Sequence, residues 1–488
     1  MKKLAKVLSL SMVAAFAFSA VACGGGSGNT SSSVKVGNDG RRIVVFEYLN
    51  AGFGDAPYIA LEEAFEAKNP DIDIQRFPNR ELSGTLDKAL STSSGLSDIY
   101  SFMYSTSLKP WVTRGYVEDI TDLCNQQTED GRTMLASMTG SAADSIKLDN
   151  KIYAVPEYTN VTGIVYNQSL FEQYGWEIPE TTRDFKTLCD KIIADTNGTV
   201  DPITWCADAD GYLYFATENW ITQYAGIANM DKFYEYASAD VYATEDNNVG
   251  SLYSAKYAAF ENLGEFFLPE SPYVYDHSRT IEYFDAQYKI IKGECAMMLN
   301  GAWFENEMAT YMNTEEHKNT KIGMFAVPEI VDDMGNPVHM PGYTTEDDKR
   351  VLSADYGAYY FIPSKGANKE DAKKFLLYLS SEEACEIYTK KANVVRPFIY
   401  NYGEGSEVYE NVSNFGKSVL KMADEHYLYA AAPNHPFAWL GKGGLYARGD
   451  RPEKSFLSVG NDRNPDTTLG RDYSYAASSW DSWMSLMG

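Results

Sequence analysis

The positions of apolar side chains predict alternating strands and helices through the first third of the chain. Residues 43–49 are nearly all apolar at their start, as in a strand covered on both faces. Further strands are predicted at 72–77 and 98–102, with a helix beginning near Pro57 after the first of them. The apolar face of that helix has three- and four-residue spacing: Tyr58, Leu61 and Phe65. Strands that alternate with helices predict a parallel sheet with right-handed crossovers.

A second region of the same kind begins near residue 163. Its clearest helix is predicted at 183–194, where one apolar stripe runs along the sequence: Phe185, Leu188, Cys189, Ile192 and Ile193. Thr181 and Asp184 have the spacing of a capping box at the start of this helix. A further helix is predicted at 370–391. The chain is therefore long enough, and regular enough, for two α/β lobes.

The first residues have the pattern of an export signal. Lysines precede an apolar run at 7–20, which is too short for a membrane-spanning helix, and small residues then lead to Cys23. We expect a lipoprotein signal peptide at 1–22 with the lipid on Cys23; plain secretion with a free Cys23 is the alternative. Residues 24–41 are rich in Gly, Ser, Asn and Asp, so 23–41 is predicted to be a flexible linker.

Charge and cysteine content narrow the classes of partner. The formal net charge of −26 disfavours nucleic acid and anionic lipid surfaces, and fits a neutral or cationic ligand better. The five cysteines after Cys23 are odd in number and form no CxxC pair, which argues against a complete disulfide framework. A single disulfide, such as Cys124–Cys206, stays open.

The sequence contains none of the common catalytic signatures. It has no GxxxxGK[ST] phosphate loop, no GxSxG elbow and no HExxH, and its five histidines lack the spacing of metal ligands. We therefore predict no catalytic residue, no metal and no cofactor. With 68 acidic residues, a carboxylate pair for glycoside hydrolysis stays open, and a structural or adhesive lipoprotein is a further alternative.

Aromatic residues are the positive signal, with 36 tyrosines, 23 phenylalanines and 8 tryptophans. Aromatic rings stack on the C–H faces of sugars, and polar neighbours bond the hydroxyls. In parallel sheets, ligands lie at the carboxyl ends of the strands. The first and third predicted strands lead there to these candidate ligand contacts: Tyr48, Asn50, Phe53, Tyr104 and Ser105.

Several short motifs, in order, resemble the extracellular solute-binding proteins of the maltose-binding class, which serve sugar ABC importers. They include Ser97-Asp98-Ile99 at the third strand, 151–156 (KIYAVP), 165–167 (VYN) and Gly301-Ala302-Trp303. Tyr356-Gly357 and the apolar helix after it also match. The similarity covers most of the chain after the linker, but it is poor from about residue 401 onward.

This resemblance implies an α/β, two-lobed periplasmic-binding-protein-like fold of type II, with a mostly parallel sheet in each lobe and a hinge between them. One lobe is expected at 42–158 plus 354–392, and the other at 159–353 plus 393–488. The implied role is capture of a carbohydrate for a membrane permease, by a non-enzymatic monomer anchored at the outer face of the cytoplasmic membrane or in the periplasm. A polyol, a glycerol phosphate or a peptide are the alternative ligands.

The resemblance also implies ligand contacts. The segment after Pro156 lines the cleft in the family, which indicates Tyr158 and Asn160 here. The tryptophan of the Gly-Ala-Trp motif stacks on sugar in several members, which makes Trp303 the strongest candidate. Trp220 and Trp439 are weaker candidates. They are chosen because tryptophans in loops near the second lobe would close over a ligand.

Overall fold

A computed structural model describes most of the chain after the predicted signal peptide. The described residues are 34–50, 52–103, 108–431, 435, 437, 441–449, 451–458 and 463–486. Cys23 and the predicted signal peptide lie outside them. None of the described helices is both long enough and apolar enough to cross a membrane.

The strands are short except for two long ones near the middle of the sheet. They are β1 Arg42–Tyr48, β2 Ile72–Pro78, β3 Ile99–Met103, β4 Lys147–Leu148, β5 Lys151–Ile152, β6 Val155–Asn167, β7 Asp201–Ile203, β8 Cys295–Gly301, β9 Ile322–Phe325, β10 Val351–Phe361 and β11 Tyr427–Ala430. The first three predicted strands are therefore confirmed to within about a residue at each end.

One mixed sheet runs through the molecule in the order β2-β1-β3-β10-β6-β8-β7. β1 pairs parallel with β2 and β3, as the alternation of strands and helices predicts. In the part of the sheet around β8, β7 pairs parallel with β8, but β6 pairs antiparallel with β8 and β9, so the expectation of a mostly parallel sheet in each lobe is wrong there. β10 and β6 run antiparallel to each other and to their outer neighbours β3 and β8. We call the part around β1–β3 the first half and the part around β7–β9 the second half.

β6 and β10 connect these two halves. The first part of β6 pairs with β10, from Val155 to Val161, whereas its second part pairs with β8 and β9, from Thr162 to Asn167. A single strand thus belongs to the packing of both halves. β10 likewise pairs with β3 at one end and with β11 at the other.

Helices cover both faces of the sheet. They are α1 Ala56–Lys68, α2 Leu82–Thr92, α3 Leu108–Thr113, α4 Thr121–Cys124, α5 Ala142–Ser145, α6 Gln168–Tyr174, α7 Thr182–Thr196, α8 Leu213–Ala225, α9 Ile227–Tyr234, α10 Tyr253–Phe267, α11 Tyr283–Lys292, α12 Phe304–Met312, α13 Lys369–Leu379, α14 Glu382–Ala392, α15 Glu407–Asn411, α16 Asn414–Glu425, α17 Pro452–Phe456 and α18 Pro465–Ser485. Short 3₁₀ turns occur at Leu135–Ser137, Ala207–Tyr212 and Ala239–Tyr242.

The helix predicted at 370–391 is two helices, α13 and α14. The chain leaves the helical path at Ser380 and Ser381, and the Ser381 hydroxyl accepts the Ala384 N–H to cap the second helix. A serine followed by Glu382 and Glu383 is a helix start, which the apolar spacing alone did not reveal.

Two clusters of buried side chains form the core. The first surrounds β1–β3, α1, α13 and α14, and continues into α12 and α16. The second surrounds α7, α8 and α10 and includes buried residues of α17 and α18. Val394, Val395 and Phe398 pack in the first cluster, although the predicted boundary at 393 assigns them to the second lobe. The lobe boundaries themselves stay a prediction.

The last part of the predicted linker is attached to the body. The Ile43 N–H donates to the Lys35 carbonyl at 2.9 Å, and Arg41 forms ion pairs with Asp39, Glu66 and Asp73. Residues 35–41 thus form a turn against the start of β1. These residues of the linker predicted at 23–41 are therefore held against the folded part of the chain, and residues 23–33 lie outside the described residues.

The disulfide left open between Cys124 and Cys206 is not formed. The Cys124 Sγ lies 3.6 Å from the sulfur of Met134, and Cys124, Cys189, Cys295 and Cys385 are buried thiols. Burial raises the pKa of the Cys124 thiol to about 12, so this side chain behaves as a small apolar residue.

The capping box at the start of α7 gives a test of local stability. The Thr181 hydroxyl accepts the Asp184 N–H, and the Asp184 carboxylate accepts the Thr181 N–H. We expect Thr181→Ala to lower the free energy of unfolding by about 1 kcal/mol, measured by urea denaturation. Thr181→Ser keeps the hydroxyl and should lose little. Equal stability of the alanine and serine variants would contradict this role.

Candidate functional site

A cavity of about 330 Å³ lies between the two halves, and we call it the cleft. This volume is in the range of small-molecule sites. The first half, with β6 and β10, contributes Leu49, Gly52, Phe53, Gly54, Tyr58, Ser101, Met103, Tyr158, Asn160 and Ala358. The second half contributes Tyr212, Phe215, Trp303 and Glu307. The lining comes largely from the carboxyl ends of β1, β3 and β8, as expected for an α/β sheet.

The loop after β1 reaches across the mouth of the cleft to the second half. The Asn306 side-chain amide donates to the Gly52 carbonyl at 2.5 Å. A Cβ atom on Gly52 would lie 2.8 Å from the Trp303 Cβ, so glycine permits this approach. The two halves are therefore in direct contact beside the cleft.

Trp303 lies at the centre of the aromatic lining. It follows β8 directly, and a Cβ atom on Gly301 would collide with its ring at 2.2 Å, so this glycine makes room for the indole. The ring centroids of Phe53, Tyr212 and Phe215 lie 6.5, 5.8 and 5.9 Å from that of Trp303, all in edge-on arrangements. These rings together form an apolar wall to the cleft.

A network of hydrogen-bonded side chains lies behind this wall. The Tyr283 hydroxyl donates to the Glu307 carboxylate at 2.8 Å, and the Gln287 amide donates to the same oxygen at 2.8 Å. The Tyr212 and Tyr283 hydroxyl oxygens are 3.0 Å apart, and the Trp303 Nε1–H lies 3.4 Å from Tyr283. Burial raises the pKa of Glu307, partly offset by these two donors. These hydrogen bonds hold Trp303 and Tyr212 in position.

A second carboxylate, Glu157, lies under the floor of the cleft and has no exposed surface. The Tyr58 hydroxyl donates to Glu157 Oε1 at 2.7 Å, and the Ser101 hydroxyl donates to Oε2. The guanidinium of Arg396, also buried, donates through Nε to the Glu157 carbonyl at 2.6 Å. Burial and the Glu157 charge raise the pKa of Tyr58 well above its usual value, so the phenol stays protonated.

The cleft becomes more polar toward the β6–β10 crossing. Asn160 pairs in register with Asp355, and its side-chain Oδ1 is buried with no hydrogen-bond partner among the described residues. Part of the Asp355 residue is exposed, but protein atoms surround its carboxyl group. The resulting loss of solvation raises the pKa of this carboxyl to about 6. Desolvation together with the Asp355 charge raises the pKa of nearby Glu218 to about 8.

Within the described residues, no group of three or more His, Cys, Asp or Glu side chains is arranged to hold a metal ion.

Four of the predicted contacts line the cleft: Phe53, Tyr158, Asn160 and Trp303. Asn50 is partly exposed but does not line it. Tyr104, Ser105 and Trp439 lie outside the described residues. The role of each lining residue in ligand binding stays a prediction.

Two predicted contacts lie in the core instead. Tyr48 has no exposed surface, because β1 directs it to the same face as Phe46, and its ring lies 4.0 Å from that of Tyr58. Trp220 is in helix α8 rather than a loop; it is 1% exposed and donates to the Pro328 carbonyl at 2.9 Å. Their burial contradicts the prediction that they contact ligand.

Sequence reasoning missed Tyr212, Phe215 and Glu307. The first two lie at the start of α8, after the short strand β7, which the apolar pattern did not predict. Glu307 follows Trp303 by four residues, so one turn of α12 brings it to the same side. The i+4 relation to the predicted Trp303 was the available signal for Glu307.

Comparison with solved structures shows the same fold. RafE in complex with raffinose superposes with a TM-score of 0.61 at 15% identity, covering 89% of this chain and 99% of RafE. The maltose/maltodextrin-binding domain MalE from Bdellovibrio bacteriovorus, bound to maltotriose, gives a TM-score of 0.58 at 16% identity, covering 90% and 100%. The two-lobed, type II binding-protein architecture is thereby confirmed.

Sequence comparison gives the family. The "Multiple sugar-binding protein" of Streptococcus mutans serotype c (strain ATCC 700610 / UA159) is 25% identical over 366 residues, which is 71% of this chain and 73% of that protein. The model of the bacterial extracellular solute-binding proteins matches residues 49–384, a span that contains every described residue lining the cleft. The chain therefore belongs to the bacterial extracellular solute-binding protein family.

Proposed function

We propose that this protein captures a neutral carbohydrate in the cleft and delivers it to the permease of an ABC importer. The observation that carries the proposal is the lining itself: a cavity of sugar size between two halves, walled by aromatic rings and backed by carboxylates. Sugars combine apolar C–H faces with hydroxyls, and this lining matches both parts.

The charge of the cleft supports a neutral ligand over an anionic one. Among the described residues that line it, Glu307 is the charged side chain, and none is a lysine or an arginine. A phosphate would meet no cation there and would lie near a carboxylate, which costs free energy. Glycerol phosphate is therefore disfavoured, whereas sugars and polyols are not.

The described lining also favours binding over hydrolysis. Glycosidases place two carboxyl groups on either side of the scissile bond. Glu307 lines the cleft, but the Glu157 carboxylate is buried and engaged by Tyr58 and Ser101, so it cannot reach a ligand. Binding without turnover is further supported by the kinds of protein that resemble this chain: the sugar-binding protein of S. mutans, and RafE and MalE with bound oligosaccharides.

Thermal unfolding against a ligand panel tests the proposal. A ligand that binds only the native state, at about 100 times its Kd, stabilises it by about 2.7 kcal/mol. We expect the melting temperature to rise with at least one of raffinose, maltotriose, chitotriose and galactose, and to stay unchanged with glycerol phosphate and peptides. A rise with peptides alone would overturn the sugar assignment.

Trp303 should contribute more to binding than any tryptophan outside the cleft. Covering a sugar face with the indole buries apolar surface worth about 1.5 kcal/mol or more at about 25 cal/mol per Å². We expect Trp303→Ala to raise the Kd of the bound sugar at least about 10-fold by calorimetry, with Trp303→Phe in between. Trp480→Ala, on α18 and outside the lining, is the control and should bind as the wild type does. Equal losses in both alanine variants would argue against the site.

The raised pKa of Glu307 predicts a pH dependence of binding. The carboxylate accepts hydroxyl hydrogens best when ionised, so the affinity should fall as the pH decreases through this raised pKa. In Glu307→Gln the affinity is expected to be lower at neutral pH and nearly independent of pH over the range in which the wild-type affinity falls. Calorimetric titrations across this range provide the measurement. A variant with the wild-type pH profile would exclude Glu307 as the titrating group.

We further propose that the chain is exported and anchored by a lipid on Cys23, with the body held near its permease. The lysines, the apolar run and the small residues before Cys23 support this, as does membership of an extracellular family. Metabolic labelling with a fatty-acid analogue should mark the full-length protein in a bacterial host. Cys23→Ala should lose the label and appear in the soluble fraction. A labelled Cys23→Ala variant would contradict the anchor.

A further inference from the structure

We propose that the floor of the cleft and its wall around Trp303 offer the ligand hydrogen-bond acceptors rather than donors, because Glu157 and Glu307 take up the hydroxyl hydrogens of the side chains there. The inference rests on the proposed sugar-binding function and adds a rule of specificity to it. Glu157 is a positioning residue, since it does not itself face the ligand. The two carboxylates act on opposite sides of the same cavity.

The floor shows the arrangement most clearly. A carboxylate has no hydrogen to donate, so the 2.7 Å contact of Tyr58 with Glu157 must use the phenolic hydrogen. The same holds for the Ser101 hydroxyl on the other carboxylate oxygen. Each hydroxyl has one hydrogen and two lone pairs, so both residues keep only acceptor capacity for the cleft that they line.

The negative charge of Glu157, which fixes the direction of these two hydrogen bonds, is itself stabilised. Arg396 is 2% exposed, and its guanidinium donates to the carbonyl of Glu157 and to that of Leu379 at 2.6 and 2.5 Å. Among the described residues no direct ion pair joins this cation to the Glu157 carboxylate. Burial by itself lowers the pKa of Arg396, but the negative charge of Glu157 acts on the guanidinium through the protein interior, favours its charged form and contributes to a raised pKa. Tyr360 and Tyr388 pack on the guanidinium at 5.7 and 5.2 Å and exclude water from it.

On the opposite wall Glu307 also takes up a hydroxyl hydrogen from the cleft, but it does so through an intermediate residue, Tyr283. Tyr283 donates its hydrogen to Glu307, so the 3.0 Å contact between the Tyr212 and Tyr283 oxygens must use the hydrogen of Tyr212. The Trp303 Nε1–H also points to Tyr283. Tyr212 and Trp303, which both line the cleft, thus direct their hydrogens away from it. The remaining Glu307 oxygen and the unpartnered Asn160 Oδ1 add further acceptors.

The consequence is a preference for ligands that donate. A hydroxyl that faces the floor must give its hydrogen to Tyr58 or Ser101. Replacing such a hydroxyl by fluorine, which cannot donate, leaves two acceptors opposed, and we expect about a 10-fold or greater loss of affinity. Anionic groups are rejected for the same reason, whereas an ammonium group is tolerated.

The test compares wild type with Glu157→Gln, using the tightest binder among raffinose, maltotriose, chitotriose and galactose and its monodeoxyfluoro derivatives. The glutamine amide donates to one of the two floor hydroxyls and frees its hydrogen for the cleft. In wild type, at least one derivative should bind about 10-fold or more weaker than the parent sugar. In Glu157→Gln, this ratio should fall to about 3-fold or less. A general loss of structure would weaken both ligands and leave the ratio unchanged.

Glu47→Gln is the matched control. Glu47 is also a buried carboxylate of the first half, and it accepts from Asn79 and Ser97 at 2.7 Å, but it does not line the cleft. Its substitution should keep the wild-type ratio. Tyr58→Phe, which removes the floor acceptor, should lower the ratio without depending on the buried charge.

An unchanged ratio in Glu157→Gln and Tyr58→Phe, with the parent sugar still bound by wild type and by both variants, overturns the inference and leaves the proposed function intact. Failure of wild type to bind any of the four sugars overturns the function, and the inference with it.

Discussion

The antiparallel pairing of β6 with β10 is the constraint on which the rest of the molecule depends. These strands join the two halves, so their pairing sets the relative positions of the residues that line the cleft from each half. Successive side chains of a strand alternate between its faces. Tyr158 and Asn160 therefore face the cleft, while Thr159 lines a second cavity, of about 210 Å³, on the other side. A movement of the halves about these strands would change both cavities together.

The cleft combines two kinds of order. The aromatic rings around Trp303 are held by packing, including the close approach of Gly52. They provide apolar surface, and contact with it does not require a ligand group to point in one direction. The hydroxyls are held by hydrogen bonds to two carboxylates, and these bonds do have direction. Apolar contact favours sugars in general, whereas the fixed hydrogens select among them. Affinity and specificity thus depend on different residues.

Much of the fold could be predicted from the sequence, because its signals are local. The apolar spacing of α1, the capping box of α7 and the order of the first three strands depend on neighbouring residues. The site was less predictable because its neighbours are distant in sequence. Trp303 was found from a motif, but Trp220 was misplaced because the apolar pattern did not reveal that helix α8 buries it. The roles of Glu157 and Tyr283 depend on hydrogen bonds that only the folded chain brings together.

Small-angle scattering with and without the tightest-binding sugar tests the central claim most directly. The claim is that residues of both halves hold one ligand between them, so contacts from each side favour the closed arrangement. We predict that the radius of gyration of the wild-type body decreases when the sugar is added, and that Trp303→Ala requires a higher concentration for the same decrease. Identical scattering with and without a sugar that calorimetry shows to be bound would contradict the account.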